Sequence, residues 1–260
     1  MNSDYTQVNS NVIDSWVDNG WVWSIPISHE DFVKAKNGNW YDAPNMLLTP
    51  KRKVPVEWYN PYLKNNRLDG VKLLGLASGG AQQMPVFAAI GAECTVLDYS
   101  DKQLENQKMV SEREGYHIDI IKADTTKELP FEDETFDIIF HPVSNCYVED
   151  VLHVWKECYR ILKRGGILLV GMDNGINYLA EDDNPLLVVN KLPYNPLKDE
   201  ELYKRSIENN WGIQFSHTIE EQIGGQLKAG FTLLNLYEDS DGVDMGAFIP
   251  NFIASKAIKL

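Results

Sequence analysis

One loop of small residues and two aspartates carry most of the chemistry written in this chain. Leu76-Ala77-Ser78-Gly79-Gly80-Ala81 follows a short apolar run, and Asp98 ends a second run roughly 20 residues further on. Small side chains let a backbone turn tightly and approach a ligand, and free N–H groups at a helix start receive carboxylate or phosphate. A carboxylate placed like Asp98 accepts both hydroxyl protons of a ribose. Asp124 ends a third apolar run, and His141 ends a fourth. Two successive strand-end carboxylates repel a dinucleotide's phosphates. They suit a ligand that joins a ribose, an exocyclic amine and a positive charge. His141 and His217 are candidate general bases, and each is equally a histidine that bonds to the backbone.

Only a parallel sheet brings such residues together. Residues 71–76, 94–97, 118–121, 135–140 and 167–170 read as buried strands alternating with helical sequence, which predicts a mostly parallel sheet with helices on both faces. Ser100 with Gln103 makes a capping box, opening a helix that stops at Gly115. Val151, Val154, Trp155, Cys158, Ile161 and Leu162 recur at helical spacing up to Gly165-Gly166. Residues 174–216 break the alternation and read as an insertion. Thr218 with Glu221 then opens another helix, with Ile219, Ile223 and Leu227 as its apolar face and Gly230 as its stop. Residues 231–237 and 252–258 are the closing strands.

Residues 1–66 read as an N-terminal arm. Trp16, Trp21, Trp23, Trp40 and Trp58 stand there among prolines that rule out a long helix, with one short amphipathic helix expected at 11–18. The arm packs its indoles on the main domain, residues 67–260, or lids a ligand, and both can hold at once.

The 260 residues are 43% apolar, enough for a substantial core, and carry a net charge of −14. Nucleic-acid binding draws on Lys and Arg neutralising phosphates, and no basic cluster exceeds Lys51, Arg52 and Lys53. Neither nucleic acid nor membrane is therefore an expected partner. Cys94, Cys146 and Cys158 match no metal or disulfide spacing, and Cys94 and Cys158 sit in core patterns. The polar first ten residues lack a signal peptide's apolar run, and no stretch approaches the roughly 20 residues of a span, so a cytoplasmic location is expected.

Residues 70–173 resemble the core of the class I S-adenosylmethionine-dependent methyltransferases. The resemblance lies in the glycine loop, Val96-Leu97-Asp98-Tyr99-Ser100, Lys122-Ala123-Asp124, Phe136-Asp137-Ile138-Ile139 and Tyr159-Arg160-Ile161-Leu162-Lys163-Arg164-Gly165-Gly166. The Leu-Ala-Ser-Gly-Gly-x-Gln-Gln loop with His141-Pro142-Val143-Ser144-Asn145 is similar to a bacterial subgroup of undefined substrate. The resemblance implies a Rossmann-like seven-stranded sheet whose last strand is antiparallel, and S-adenosylmethionine as cofactor. It implies a cofactor set of Gly75, Ala77, Ser78, Gly79, Gln83, Asp98, Tyr99, Ser100, Gln103, Asp124, Thr125 and His141. In that set the loop holds the methionyl end, Asp98 the ribose, and Asp124 with Thr125 the adenine side.

Three positions depart from the family pattern. Gly75 replaces the usual acidic residue, and Ala77 and Ala81 replace the usual first and third glycines. Gln82, Gln83 or the arm are left to receive the methionyl amine. The acceptor expected is a small molecule, methylated in line by a monomer or homodimer, since a sulfonium already carries an activated methyl. The rival readings are a non-catalytic S-adenosylmethionine-binding protein and an NAD-linked dehydrogenase.

Overall fold

The computed structural model describes residues 4–180 and 186–260. Seven strands form one sheet: β1 (Lys72–Leu76), β2 (Glu93–Asp98), β3 (Asp119–Lys122), β4 (Phe136–His141), β5 (Leu162–Asp173), β6 (Thr232–Asp239) and β7 (Phe252–Ile258). Their order is β3-β2-β1-β4-β5-β7-β6. β1 to β5 are parallel, and β7 runs antiparallel to both of its neighbours. This is the expected Rossmann-like sheet, with the antiparallel strand next to the edge.

Alternation along the strands divides the core into two layers. Leu73, Val96, Ile138, Phe140, Ile167 and Leu169 face one side, Leu74, Leu76, Leu97, Ile139, Leu168 and Val170 the other. The first layer is covered by α3 (Met84–Ala89), α4 (Asp101–Glu114) and residues of the arm. The second lies under α5 (Val151–Ile161), where Trp155 and Cys158 are fully buried.

The arm helix α1 (Tyr5–Asp18) is longer than the 11–18 expected, because Asp4 caps it by accepting from the Gln7 amide. α2 (His29–Lys34) follows. Trp40 and Trp58 are sealed in the first layer, Trp40 edge-on to Tyr59 and Trp58 against Tyr237. Further along, the backbone at Leu48 lies directly on β5. A Cβ added at Gly171 would fall on the Leu48 carbonyl, which also accepts from the Val143 amide at 3.2 Å. Gly171→Ala is expected to cost roughly 1–3 kcal/mol by overpacking, read as a lower urea midpoint at unchanged slope.

Two local expectations are corrected. β5 begins at Leu162, straight from α5, and Gly165 takes φ 77° inside it while the register to β4 shifts between Phe136 and Ile138. The strand thus absorbs the Gly-Gly pair as an irregularity where a helix stop was expected. The helix after Thr218 buries Gln222, Gly225 and Gln226, whereas Ile219 and Leu227 are about half exposed. Its opening turn, Glu220–Gly224, is a π-helix that leads into α6 (Gly225–Ala229), and this change of period turns Ile219 and Leu227 outward while Ile223 stays packed against the core. The Thr218–Glu221 capping box forms in both directions.

Candidate active site

Beyond the carboxyl ends of β1, β2 and β4 lies a cavity of about 630 Å³. Its floor is Ala77, Ser78, Gly79, Gln82 and Gln83 from the loop after β1, with Asp98, Tyr99 and Gln103 from the end of β2 and the start of α4. Pro142, Val143, Ser144, Cys146 and Tyr147 after β4 form the far wall.

Asp98 is buried at 6% exposure. Its Oδ2 accepts from the Gly79 amide at 3.0 Å and its Oδ1 from the Ser100 amide at 3.0 Å. A carboxylate offers about four acceptor positions, more than these backbone amides fill. Burial raises its pKa, while the amides of Ser100 and Gly79 oppose the rise. Gly79 has no room for a side chain, since a Cβ would press on Gln103 Cβ and on Asp98 Oδ2 at 2.9 Å. Ala77 and Ala81, standing where the family has glycine, nonetheless adopt left-handed backbone at φ 47° and 56°. Left-handed backbone at residues that carry a Cβ holds this turn at the cost of local strain.

The arm roofs this floor. Ile13, Trp16, Asn19, Trp21 and Trp23 line the cavity, and Leu47, Leu48, Thr49 and Pro50 close one side. Gln82 Nε2 donates to the carbonyls of Val22 and Ile25 at 3.0 and 3.1 Å, and the Ile27 amide donates to the Ala81 carbonyl at 3.0 Å. Asp14 accepts from the Ser100 hydroxyl at 2.6 Å and from the Lys102 amide at 3.1 Å. The arm meets the segment after β5 through Asn9, which exchanges two hydrogen bonds with Ile213, and through Trp16 Nε1, which donates to the Asn210 carbonyl. Within the insertion, Leu186, Leu187, Val188, Val189 and Leu192 do not meet the arm. They are exposed, because residues 209–215 take that place.

The remaining site residues named from the sequence are distributed as follows. Gly75 does not line the cavity, and the Met84 thioether fills the space where its side chain would lie. Ser100 is fully buried and caps α4 by accepting from the Gln103 amide. Asp124 and Thr125 are half-buried beyond the lining, with Asp124 accepting from the Thr126 amide at 2.8 Å and its charge acting on Tyr99. His141 is 1% exposed, with Nδ1 2.7 Å from the Leu76 carbonyl and Nε2 2.8 Å from Asn145 Oδ1. Burial lowers its pKa, more than those two bonds raise it. His217 is likewise buried and bonded to the Asn145 carbonyl at 3.1 Å. Neither histidine lines the cavity. Met84 and Trp155 are core residues, whereas Tyr147 is in the wall.

Two polar atoms around this floor, Gln103 Oε1 and Tyr99 Oη, are buried and have no protein partner. Buried polar groups are normally paired, so such atoms in a cavity wall fit a polar ligand.

Asp173, at the end of β5, was not singled out from the sequence. It is buried, and burial pushes its pKa up from 3.8 to about 6, against the amides of Gly175 and of its own residue. The ionisable groups beside it are Cys146, Tyr147 and Tyr178, all pushed well up by burial and so neutral, and Arg205 shares its cavity. Between pH 3.8 and 6 the folded state holds a proton on Asp173 that the unfolded state has lost. Stability from this group is thus fully present below about 3.8 and is lost as pH rises through 6. Relative to the native protein, Asp173→Asn is expected to gain on the order of 2–3 kcal/mol between pH 4 and pH 7.5. Denaturation of both proteins at the two pH values measures it.

The comparisons with known proteins agree with this geometry. Residues 74–170 match the methyltransferase-domain family. The chain is 40% identical over 258 residues to an uncharacterized methyltransferase, YbaJ, of Bacillus subtilis, covering 97% of each. Among solved structures, an S-adenosylmethionine-dependent methyltransferase from Mesorhizobium loti superposes with a TM-score of 0.59 at 19% identity, over 76% of this chain and 93% of that one. The [4+2]-cyclase SpnF has the same fold, with a TM-score of 0.53 at 18% identity over 74% and 76%. The chain belongs to the class I S-adenosylmethionine-dependent methyltransferases, and S-adenosylmethionine is its cofactor. No described helix is long and apolar enough to cross a membrane.

Proposed function

We propose that this enzyme binds S-adenosylmethionine in the cavity beneath the arm and transfers its methyl group to a small organic acceptor. Asp98 carries the reading: a buried carboxylate in the cavity floor, fixed by backbone amides, at the strand end where a carboxylate receives the hydroxyls of a ribose. Ser78, Gly79 and Gln83 would hold the methionyl end, and Tyr99 and Gln103 the adenosine side, with Asp124 behind them acting through its charge on Tyr99. The bound cofactor supplies an activated methyl on a sulfonium. What the chain adds is alignment for in-line displacement and exclusion of water, supported by the arm's indoles in the cavity wall. His141 and His217 act as positioning residues. With Asn145 and Gln222 they tie the loop after β4 to the helix after Thr218.

The partners proposed are small molecules, not nucleic acid, and the working unit is a monomer or homodimer in the cytoplasm. Three buried, unpaired cysteines are compatible with a reducing compartment. Of residues 1–66, the part up to Ser24 serves as a lid on the domain formed by residues 67–260 while the rest packs into its core, and the insertion at 174–216 completes the mouth through Gln214. Calorimetric titration with S-adenosylmethionine and S-adenosylhomocysteine tests the reading. Saturable one-to-one binding of both is expected, and absence of binding overturns it.

A further inference from the structure

A second cavity, of about 310 Å³, adjoins the first and shares Val143, Cys146, Gln214 and Phe252 with it as walls. Asp173 stands in its wall. Oδ1 of Asp173 accepts from the Gly175 amide at 2.8 Å. Oδ2 has no hydrogen-bond partner and is shielded from solvent, and it is the one such carboxylate oxygen among the described residues. An unpaired buried carboxylate is costly unless something else satisfies it, and groups held in that state cluster at functional sites. The other walls are flat and aromatic: Tyr178 stacks on Tyr194 with centroids 5.2 Å apart, and Trp211 lies nearby under the Arg205 guanidinium.

We propose that this chamber receives the methyl acceptor, a small planar molecule whose nucleophile is a hydroxyl or an amine, and that Oδ2 of Asp173 binds that group and takes its proton. This rests on the assignment of the larger cavity to S-adenosylmethionine. The acceptor gives its lone pair to the methyl carbon and its proton to Asp173, while the carbon–sulfur bond breaks with both electrons passing to sulfur. Charge and atoms balance with no further reactant. The alternative bases are unavailable. His141 and His217 are sealed and bonded, and burial keeps Cys146 and Tyr178 protonated. Among the described residues, only Asp173 combines a buried, unpartnered carboxylate oxygen with a pKa, about 6, that leaves it ionised at neutral pH yet able to hold a proton.

The test uses the whole protein saturated with S-adenosylhomocysteine and four probes: phenol and aniline, with anisole and toluene as partners that lack the acidic hydrogen. Wild type is expected to bind phenol or aniline about tenfold more tightly than its partner, as for a hydrogen bond to a charged group. Which of the two is preferred identifies a hydroxyl or an amine acceptor. Asp173→Asn should erase the preference while keeping its affinity for S-adenosylhomocysteine within about twofold. No preference in wild type, or the same preference in the variant, overturns the proposal. Failure of wild type to bind S-adenosylhomocysteine overturns the cofactor assignment instead. In turnover, Asp173→Asn should be at least about a hundredfold slower and lose the acid limb near pH 6, and an unchanged rate and limb contradict the base role.

Discussion

Asp98→Ala lowers the affinity for S-adenosylmethionine by about tenfold to over a hundredfold. The expected loss is that of hydrogen bonds to a charged acceptor, roughly 1.5–3 kcal/mol. The substitution also costs stability, because the Gly79 and Ser100 amides lose their acceptor at a buried site. An unsatisfied buried donor costs about 1–3 kcal/mol, so the variant should melt lower as well as bind more weakly. Asp98→Asn separates the two effects. It keeps one oxygen for one backbone amide, and its amide nitrogen cannot accept from a ribose hydroxyl. Calorimetry should therefore find Asn nearer to wild type in melting than in affinity. Unchanged affinity in both variants removes Asp98 from the site.

Removal of residues 1–24 leaves a folded protein that transfers methyl groups at least about a hundredfold more slowly. The cut is set by the structure. It takes away α1 and the indoles of Trp16, Trp21 and Trp23, which line the cavity. It leaves Ile27, Phe32 and Trp40, which belong to the core. A longer deletion, through residue 40, would strip that core and confuse unfolding with inactivation. Loss of the roof admits water and loosens alignment, and small misplacements cost on the order of a hundredfold in rate. Cofactor affinity should fall less, because Asp98, Gly79 and Gln103 stay in place, although the Val22 carbonyl bonded to Gln82 is lost. Trp21→Ala, with the fold intact, should show a milder form of the same defect. Wild-type turnover in the truncated protein would show that the arm only packs.

Much of this site was legible because two local rules act strongly. Strand alternation and helix caps place Asp98 at the end of β2 and start α4 one turn later, where Ser100 accepts from the Gln103 amide. The antiparallel β7 was readable as an apolar run of strand length, and it spans the residues expected, 252–258. Other features depend on contacts distant in sequence. No periodicity says that Trp16, Trp21 and Trp23 line a cavity while Trp40 and Trp58 fill a core, since all are indoles among prolines. Gln82 ties the arm to the glycine loop through two carbonyls some sixty residues earlier. The π-turn at Glu220–Gly224 shifts the helical phase, so a pattern read at 3.6 residues per turn selected Ile219 and Leu227 where Gln222 and Gln226 are buried. Asp173 is different, because its signal was present. It ends an apolar strand as Asp98 does, and the same strand-end reasoning reaches it.

The account's central claim is catalytic, and one measurement addresses it most directly. The protein is incubated with S-adenosylmethionine tritiated on its methyl group and the low-molecular-mass fraction of a bacterial extract. Label is expected to move into a small organic product heavier by one methylene, with S-adenosylhomocysteine formed in equal amount and neither appearing with Asp98→Ala at low cofactor concentration. Saturable binding of S-adenosylmethionine with no S-adenosylhomocysteine released from any fraction would contradict it, and would leave the chain a binding protein on a methyltransferase fold.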